Sequence, residues 1–371
     1  IDDPRWQKTI PKFLEKADTG AVDAWIVHLS EGTDEDPSHA EFDTLVNLGM
    51  LEAWTVVIHG TALQEVDFAA MGDAGSKLVW SPTSNMLLYG GTTRVDHALA
   101  AGVIVTLATD WSPSGPKNLL DELKVAWELN TFFTTVEGMN WTPFDEYTLV
   151  SMATANGADA LGWSGFTGRV AEGLAGDLMV IAKPEVAEGE TAPTPYQALI
   201  GATVRDVRLV MVGGEPLYGD VDLMQASKAN DLEVLCSTAG FVKAIDTTRE
   251  GPKAGEQTYA AITSAISDAM QFDPTDMRSK FKQSVAEGWT QEEFDQWFAA
   301  KFKKGMEPMD LDPLYVTDDP VFFQRFDASE NAMWPFDLQA TYYGFLGDGP
   351  TAAVDLGDEA GLLEFVNAAT S

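Results

Sequence analysis

The sequence predicts an α/β fold built on a parallel sheet of the barrel type, and three observations carry that expectation. Short apolar runs alternate with amphipathic stretches through the first 165 residues. Four such strand-helix units lie between Ala24 and Asn130, the spacing of parallel strands joined by crossover helices. Polar residues, His28, His59, Ser81 and Asp110, close successive apolar runs. A doubly wound sheet and a (β/α)₈ barrel both satisfy the first two observations. The third favours the barrel, whose strand ends converge on one mouth, over an open sheet, which spreads them apart.

The elements follow in order. Ala24-Trp25-Ile26-Val27-His28-Leu29 is a nearly continuous apolar run, the pattern of a strand covered on both faces. A helix is expected over Ser38 to Asn47, then a strand over Thr55 to His59, ended by Gly60. Another helix falls near Leu63 to Met71, and a third strand, Lys77 to Trp80, stops at Ser81-Pro82. A helix over Thr93 to Ala101 leads to a fourth strand, Val103 to Thr109, closed by Asp110. Asn118 to Asn130 is helical, with Leu119, Leu120, Leu123, Ala126 and Leu129 close to one face.

Beyond the fourth unit the pattern changes. Tyr147 to Leu161 reads as helix, Gly173 to Ile181 as a turn and a strand, and Val204 to Leu217 as two short strands about Gly213-Gly214. Helices are expected over Tyr259 to Met270, Thr275 to Ala286 and Gln291 to Lys303. The expected layout is therefore a strand-helix region over 1–165, a small sheet region over 166–222 and a mostly helical C-terminal extension over 223–371.

Charge bounds the partners. With 58 acidic against 23 basic residues the formal net charge is -35, a surface that repels nucleic acid and anionic lipid. No apolar run reaches the roughly 20 residues that cross a bilayer. A single cysteine, Cys236, excludes an intrachain disulfide and any cysteine-based zinc site, and its apolar neighbours Val234 and Leu235 predict that it is buried. Ile1 is not a start Met, which points to a processed chain or to a sequence that begins part-way through the gene product. An acidic surface and a processed start lean toward export.

The chain has four histidines, and two of them, His28 and His59, end apolar strands. Histidine is uncommon there unless it is paired or bound. His39 reads as a surface residue at a helix start and His97 as an ordinary helix residue. His28 and Glu31 form His-x-x-Glu at a strand end, where an imidazole can ligate a divalent metal and a carboxylate can shuttle a proton. Asp110 closes a buried strand, so its carboxylate requires a cation or several donors. The plain alternative for Asp110 is a cap on the following turn.

Taken together these segments are specific. Val27-His28-Leu29-Ser30-Glu31-Gly32, Val57-Ile58-His59-Gly60, Trp80-Ser81-Pro82-Thr83-Ser84-Asn85 and Leu107-Ala108-Thr109-Asp110 occur in order at strand-helix spacing. Met152-Ala153-Thr154-Ala155-Asn156-Gly157-Ala158 and Ala175-Gly176-Asp177-Leu178 follow. Over about residues 20 to 218 this resembles the amidohydrolase superfamily, in the branch with cytosine deaminase, adenosylhomocysteine deaminase and the chlorotriazine hydrolases. The resemblance implies the second half of a (β/α)₈ TIM-type barrel, its strands five to eight, followed by part of a small β-sandwich. It implies His28 and Asp110 as metal ligands, Glu31 as proton shuttle and His59 as the group that polarises the substrate or holds the attacking water. Asp110 would also take the water's proton. Ser81 and Asn85 would shape the substrate side, with Trp80, Trp111 and Ser114 as pocket walls. The implied reaction is attack of a metal-activated water on a C–N carbon of a small molecule, with one zinc or iron ion as cofactor.

The chain departs from that pattern in one respect: His-x-His, the family's other metal-binding pair, occurs nowhere in the 371 residues. The expectation is an oligomer completed by a partner, an N-terminal half chain that carries His-x-His. A non-catalytic structural or assembly subunit is the alternative, and it leaves the joint presence of His28, Glu31, His59 and Asp110 unexplained. An open α/β binding protein is a weaker reading, because no Gly-rich phosphate loop follows any strand.

Overall fold

A computed structural model describes residues 4–270, apart from 33–36, 112–113, 117, 137, 188, 228–231, 237–241 and 249–256. It opens with helix α1 (Pro4–Asp18) and then alternates strands and helices. These are β1 (Trp25–Leu29), α2 (His39–Asn47), β2 (Thr55–His59), α3 (Glu65–Ala74) and β3 (Lys77–Trp80). Helices α4 (Pro82–Tyr89) and α5 (Val95–Ala100), strand β4 (Ile104–Leu107) and helix α6 (Leu119–Phe133) follow. The four strands form one parallel sheet in the order β1-β2-β3-β4, as the alternating pattern predicts. Pairing is in register across it, with Leu29 opposite His59 and Trp80 opposite Leu107. The candidate residues His28, His59 and Asp110 therefore lie at the same edge of the sheet, the carboxyl ends of its strands.

Local signals explain where the helices begin and end. In α3, Gln64 and Asp67 form a capping box, and Gly75 ends the helix in the left-handed region. Pro82 opens α4 at its first turn and Gly90, at φ 67°, closes it. The Asn118 side chain caps α6 by accepting the Asp121 N–H. The single helix expected over 147–161 is two, α7 (Glu146–Met152) and α8 (Ala155–Ala160), broken at Thr154, whose φ of -135° and ψ of -92° are not helical.

The second unit is a five-stranded antiparallel sheet. It comprises β5 (Leu178–Ile181), β6 (Val207–Val212), β7 (Glu215–Gly219), β8 (Glu233–Cys236) and β9 (Val242–Ile245), in the order β5-β6-β7-β9-β8. Helix α9 (Pro195–Gly201) and a 3₁₀ turn over Val204–Asp206 precede β6, and α10 (Val221–Ala226) follows β7. Strands β8 and β9 carry the antiparallel sheet past residue 222, the expected limit of the small sheet region, because β9 pairs with β7. Helix α11 (Tyr259–Met270) occupies the span expected of it. The helices expected over 275–286 and 291–303 lie outside the described residues, as does the side chain of Cys236. Its neighbour Val234 is 56% exposed.

The core runs between the parallel sheet and its helices and includes Leu29, Phe42, Leu45, Val57, Phe68, Met71, Leu78, Trp80, Val105 and Leu123. One strand departs from expectation. β1 is exposed at Ile26 and His28 rather than covered on both faces. Among the described residues it pairs with β2 alone, so an edge and part of a face lack cover. No helix among the described residues is long and apolar enough to cross a membrane. Leu78 is fully buried at the centre of the sheet, and Leu78→Ala is expected to cost about 2–5 kcal/mol, read as a lowered denaturation midpoint. The same measurement on the 68% exposed Val66→Ala should move it little.

Candidate metal and catalytic site

Among the described residues, three of the four non-glycine residues with positive φ are strand-end residues: Ser30 at 52°, His59 at 70° and Asp110 at 61°. Side-chain-bearing residues seldom adopt this region, and such strain gathers where function demands a particular side-chain aim. Its effect here is convergence. His28, His59 and Asp110 each bring a ligand atom to within 4.8 Å of the others. The imidazoles of His28 and His59 lie 5.3 Å apart at their centroids. Glu31 joins them, its Oε1 3.3 Å from His59 Nε2, while Asp110 Oδ2 stands 3.9 Å from the same nitrogen.

Hydrogen bonds orient these groups. Asn85 Nδ2 stands 3.0 Å from His59 Nδ1. Trp80 Nε1–H donates to Thr92 Oγ1, which leaves the Thr92 hydroxyl to donate to Asn85 Oδ1. That arrangement turns the Asn85 amide N–H toward His59, so Nδ1 accepts and Nε2 faces the carboxylates bearing the ring proton. Burial holds the His59 pKa below its ordinary value, against the pull of Glu31 and Asp110, and His28 lowers it further. Ser84 Oγ donates to Asp110 Oδ2 at 2.6 Å, and Ser114 Oγ lies 3.4 Å from the same oxygen. Tyr89 donates to Glu31 Oε1 at 2.8 Å. The Ser30 N–H is taken by Glu41 Oε2 at 2.8 Å, which braces the turn between His28 and Glu31.

The expected pocket residues divide. Asn85 and Ser114 lie at the site, against His59 and Asp110. Ser81 is fully buried at the end of β3 and its Oγ has no hydrogen-bond partner. Trp111 is 63% exposed beside Asp110. Trp80 is not a pocket wall: it is fully buried, set edge-on to Phe144, and bonded through its indole N–H to Thr92. The two-residue period of β3 explains this, since Trp80 shares the buried side of the strand with Leu78. His39 opens α2 and bonds Asp67 at 2.9 Å, and His97 lies against Arg94 in α5. Neither belongs to the cluster.

Sequence reasoning passed over Ser84, Tyr89, Thr83 and Glu122. Glu122 is fully buried within the apolar face of α6, and its oxygens accept from Thr83 N at 3.1 Å and Thr83 Oγ1 at 2.5 Å. A signal was present: Glu122 lies three residues from Leu119, on a face otherwise apolar. Burial pushes its pKa up to about 8, against the Thr83 hydrogen bonds, and Asp110 raises it further.

The family model for the Amidohydrolase family matches residues 17–217, and the chain belongs to that family. A 5-methylthioadenosine/S-adenosylhomocysteine deaminase of Syntrophus aciditrophicus is 30% identical over 209 residues, 53% of this chain and 45% of that protein. Another from Thermococcus sibiricus is 34% identical over 183 residues, 46% of this chain and 41% of that protein. The chain thus spans about half the length of the curated relatives it matches. A triazine hydrolase variant of known structure superposes with a TM-score of 0.50 at 22% identity, covering 59% of this chain and 50% of that one. Its likeness supports an α/β fold of the TIM-barrel type.

Two predictions follow from this geometry. A Cβ at Gly115 would meet the Thr109 carbonyl oxygen at 1.7 Å, so the loop after β4 folds back only because residue 115 lacks a side chain. Gly115→Ala should displace Asp110 and weaken divalent-metal uptake more than it lowers the melting temperature. Glu122 has a folded pKa raised above its unfolded value of 4.5. Its neutral form therefore contributes stability that is fully present below about pH 4.5 and is lost as pH rises through about 8. Urea denaturation should show Glu122→Gln gaining on the wild type across that window, by at most about 1.4 kcal/mol per pH unit. A pH-independent difference between the two would refute the buried neutral acid.

Proposed function

We propose that this chain supplies catalytic and metal-holding groups of a metal-dependent hydrolase that deaminates a small molecule at a C–N bond. The observation that carries the reading is the convergence of His28, His59, Asp110 and Glu31 at the carboxyl ends of three parallel strands. Imidazole and carboxylate donors fit a zinc or iron(II) ion, and His28 and Asp110 are the residues that would hold it. When bound, such an ion lowers the pKa of a water and polarises the electrophile. His59, neutral through burial and with Nδ1 turned to Asn85, acts as a hydrogen-bond donor to the substrate from Nε2 rather than as a ligand. Glu31, 28% exposed at the rim, carries a proton to the leaving nitrogen. Asp110 accepts a proton from the attacking water. Trp111, exposed beside Asp110, is the group that meets the substrate, whereas Ser81 is as fully buried as Trp80.

Two protein ligands are fewer than a catalytic zinc site takes. The rest come from a polypeptide bearing His-x-His, which extends the parallel sheet from β1 so that the four strands here are one half of a barrel. The antiparallel strands are then part of the family's β-sandwich. Support comes from the uncovered β1 edge and from a cavity of 310 Å³ beside it, lined by Ile10, Ile26, His28 and Leu45 among others.

The test is native mass spectrometry and metal analysis of the assembly purified from its source, followed by assay with 5-methylthioadenosine and S-adenosylhomocysteine. About one divalent ion per assembly is expected, together with release of ammonia. His28→Ala and Asp110→Asn should each lose the metal. His59→Ala should retain it while turnover falls about 10²–10⁴-fold. An assembly that takes up no divalent ion and releases no ammonia removes the hydrolase reading.

A further inference from the structure

Glu31, His59 and Asp110 come from the ends of three different strands, yet each is bonded to one helix, α4. Tyr89 holds Glu31, Asn85 holds His59 and Ser84 holds Asp110. Asn85 and Tyr89 are four residues apart and so share a face of the helix, with Ser84 beside them. The three groups can keep their mutual geometry only if this two-turn helix neither slides nor rotates. Its first turn is the point of attachment. Thr83 N–H and Thr83 Oγ1 both bond Glu122, one to each carboxyl oxygen. Two bonds from one residue to one carboxyl fix direction as well as distance.

Glu122 serves no need of α6 itself. The Asn118 side chain already caps that helix, and Leu120, Leu123, Ala126 and Leu129 provide its packing. A fully buried carboxyl with no cation among its partners is costly, and an apolar residue at this place would be the cheaper choice for stability alone.

We propose that Glu122 is a positioning residue: by holding Thr83 it locks α4 against α6, and α4 in turn sets the orientation of Glu31, His59 and Asp110. Its purpose rests on the hydrolase reading above, but its geometric consequence does not. It touches neither substrate nor metal, and its hydrogen bonds reach the site only through the helix. The carboxyl's role is hydrogen bonding, so glutamine, which offers one acceptor to Thr83 N–H and one donor to Thr83 Oγ1, should replace it.

The four histidines make this testable without metal or substrate. In the full chain labelled with ¹⁵N-histidine and freed of metal, His59 should show one tautomer, protonated at Nε2. In Glu122→Ala the separation between its protonated and bare ring nitrogens should collapse toward a mean, because Asn85 no longer stands fixed against Nδ1. His39, bonded to Asp67, and His97, bonded to Arg94, have no partner on α4 and should keep their shifts. Glu122→Gln should restore the wild-type His59 pattern. If His59 is unmoved in folded Glu122→Ala, or if His39 and His97 move as much as His59, the proposal is overturned. Should Glu122→Ala fail to fold, Thr83→Ala severs the hydroxyl contact alone and carries the same expected result. Failure of the hydrolase reading would appear separately, as absent metal uptake and turnover, and would leave these ring signals to be read as they stand.

Discussion

In-register parallel pairing of β1 to β4 is the constraint on which the rest of the molecule depends. Parallel strands place all their carboxyl ends on one edge, so residues that end separate strands become neighbours without being close in sequence. Leu29 stands opposite His59, which puts His28 and Glu31 on either side of that register point. A slip of one residue would turn His28 to the opposite face of β1 and separate it from His59. The buried residues of the strands, Val57, Leu78, Trp80 and Val105, hold the register by packing against the helices.

At the strand ends, geometry is obtained against local preference. Ser30, His59 and Asp110 carry side chains in the left-handed region of the backbone, a conformation that costs on the order of 1–3 kcal/mol at each position. Surrounding bonds offset it. Glu41 takes the Ser30 N–H, Thr93 Oγ1 donates to the His59 carbonyl oxygen at 2.5 Å, and Ser84 holds the Asp110 carboxylate. The site is a set of aimed side chains, each braced by a residue from a different element.

This organisation separates two kinds of residue. His28, His59, Asp110 and Glu31 converge at the strand ends and are the groups proposed to carry the chemistry. Ser84, Asn85, Tyr89 and Glu122 hold the geometry and come from helices α4 and α6. The helices that cover the sheet thus orient the groups at its edge as well as burying its apolar faces. Membership in the amidohydrolase family accounts for the strand-end pattern over residues 17–217, while the bracing from the helices is visible in the hydrogen bonds of this chain.

The alternation of apolar runs and amphipathic stretches was enough to determine the α/β class, the four parallel strands and the identity of the residues at their ends, because both signals are local and periodic. His28, His59 and Asp110 were legible as candidates since a polar residue that ends an apolar strand contradicts its surroundings. Tertiary structure alone decided what those residues meet. Trp80 went to the core because the register of β3 aligned it with Leu78, and periodicity cannot say which side of a strand is dry. β1 is uncovered at Ile26 because an apolar run does not reveal whether anything lies against it. Strands β8 and β9 form where weak local pattern gave no strand signal, through pairing with β7 across the sheet. Helix α4 was hidden because Ser81-Pro82 reads as a strand stop, and its hold on three distant side chains arises only from packing. Sequence carries information about each residue and its near neighbours; the contacts that brace the strand-end groups and helix α4 join residues 26, 39 and 58 positions apart, and only the folded chain brings them together.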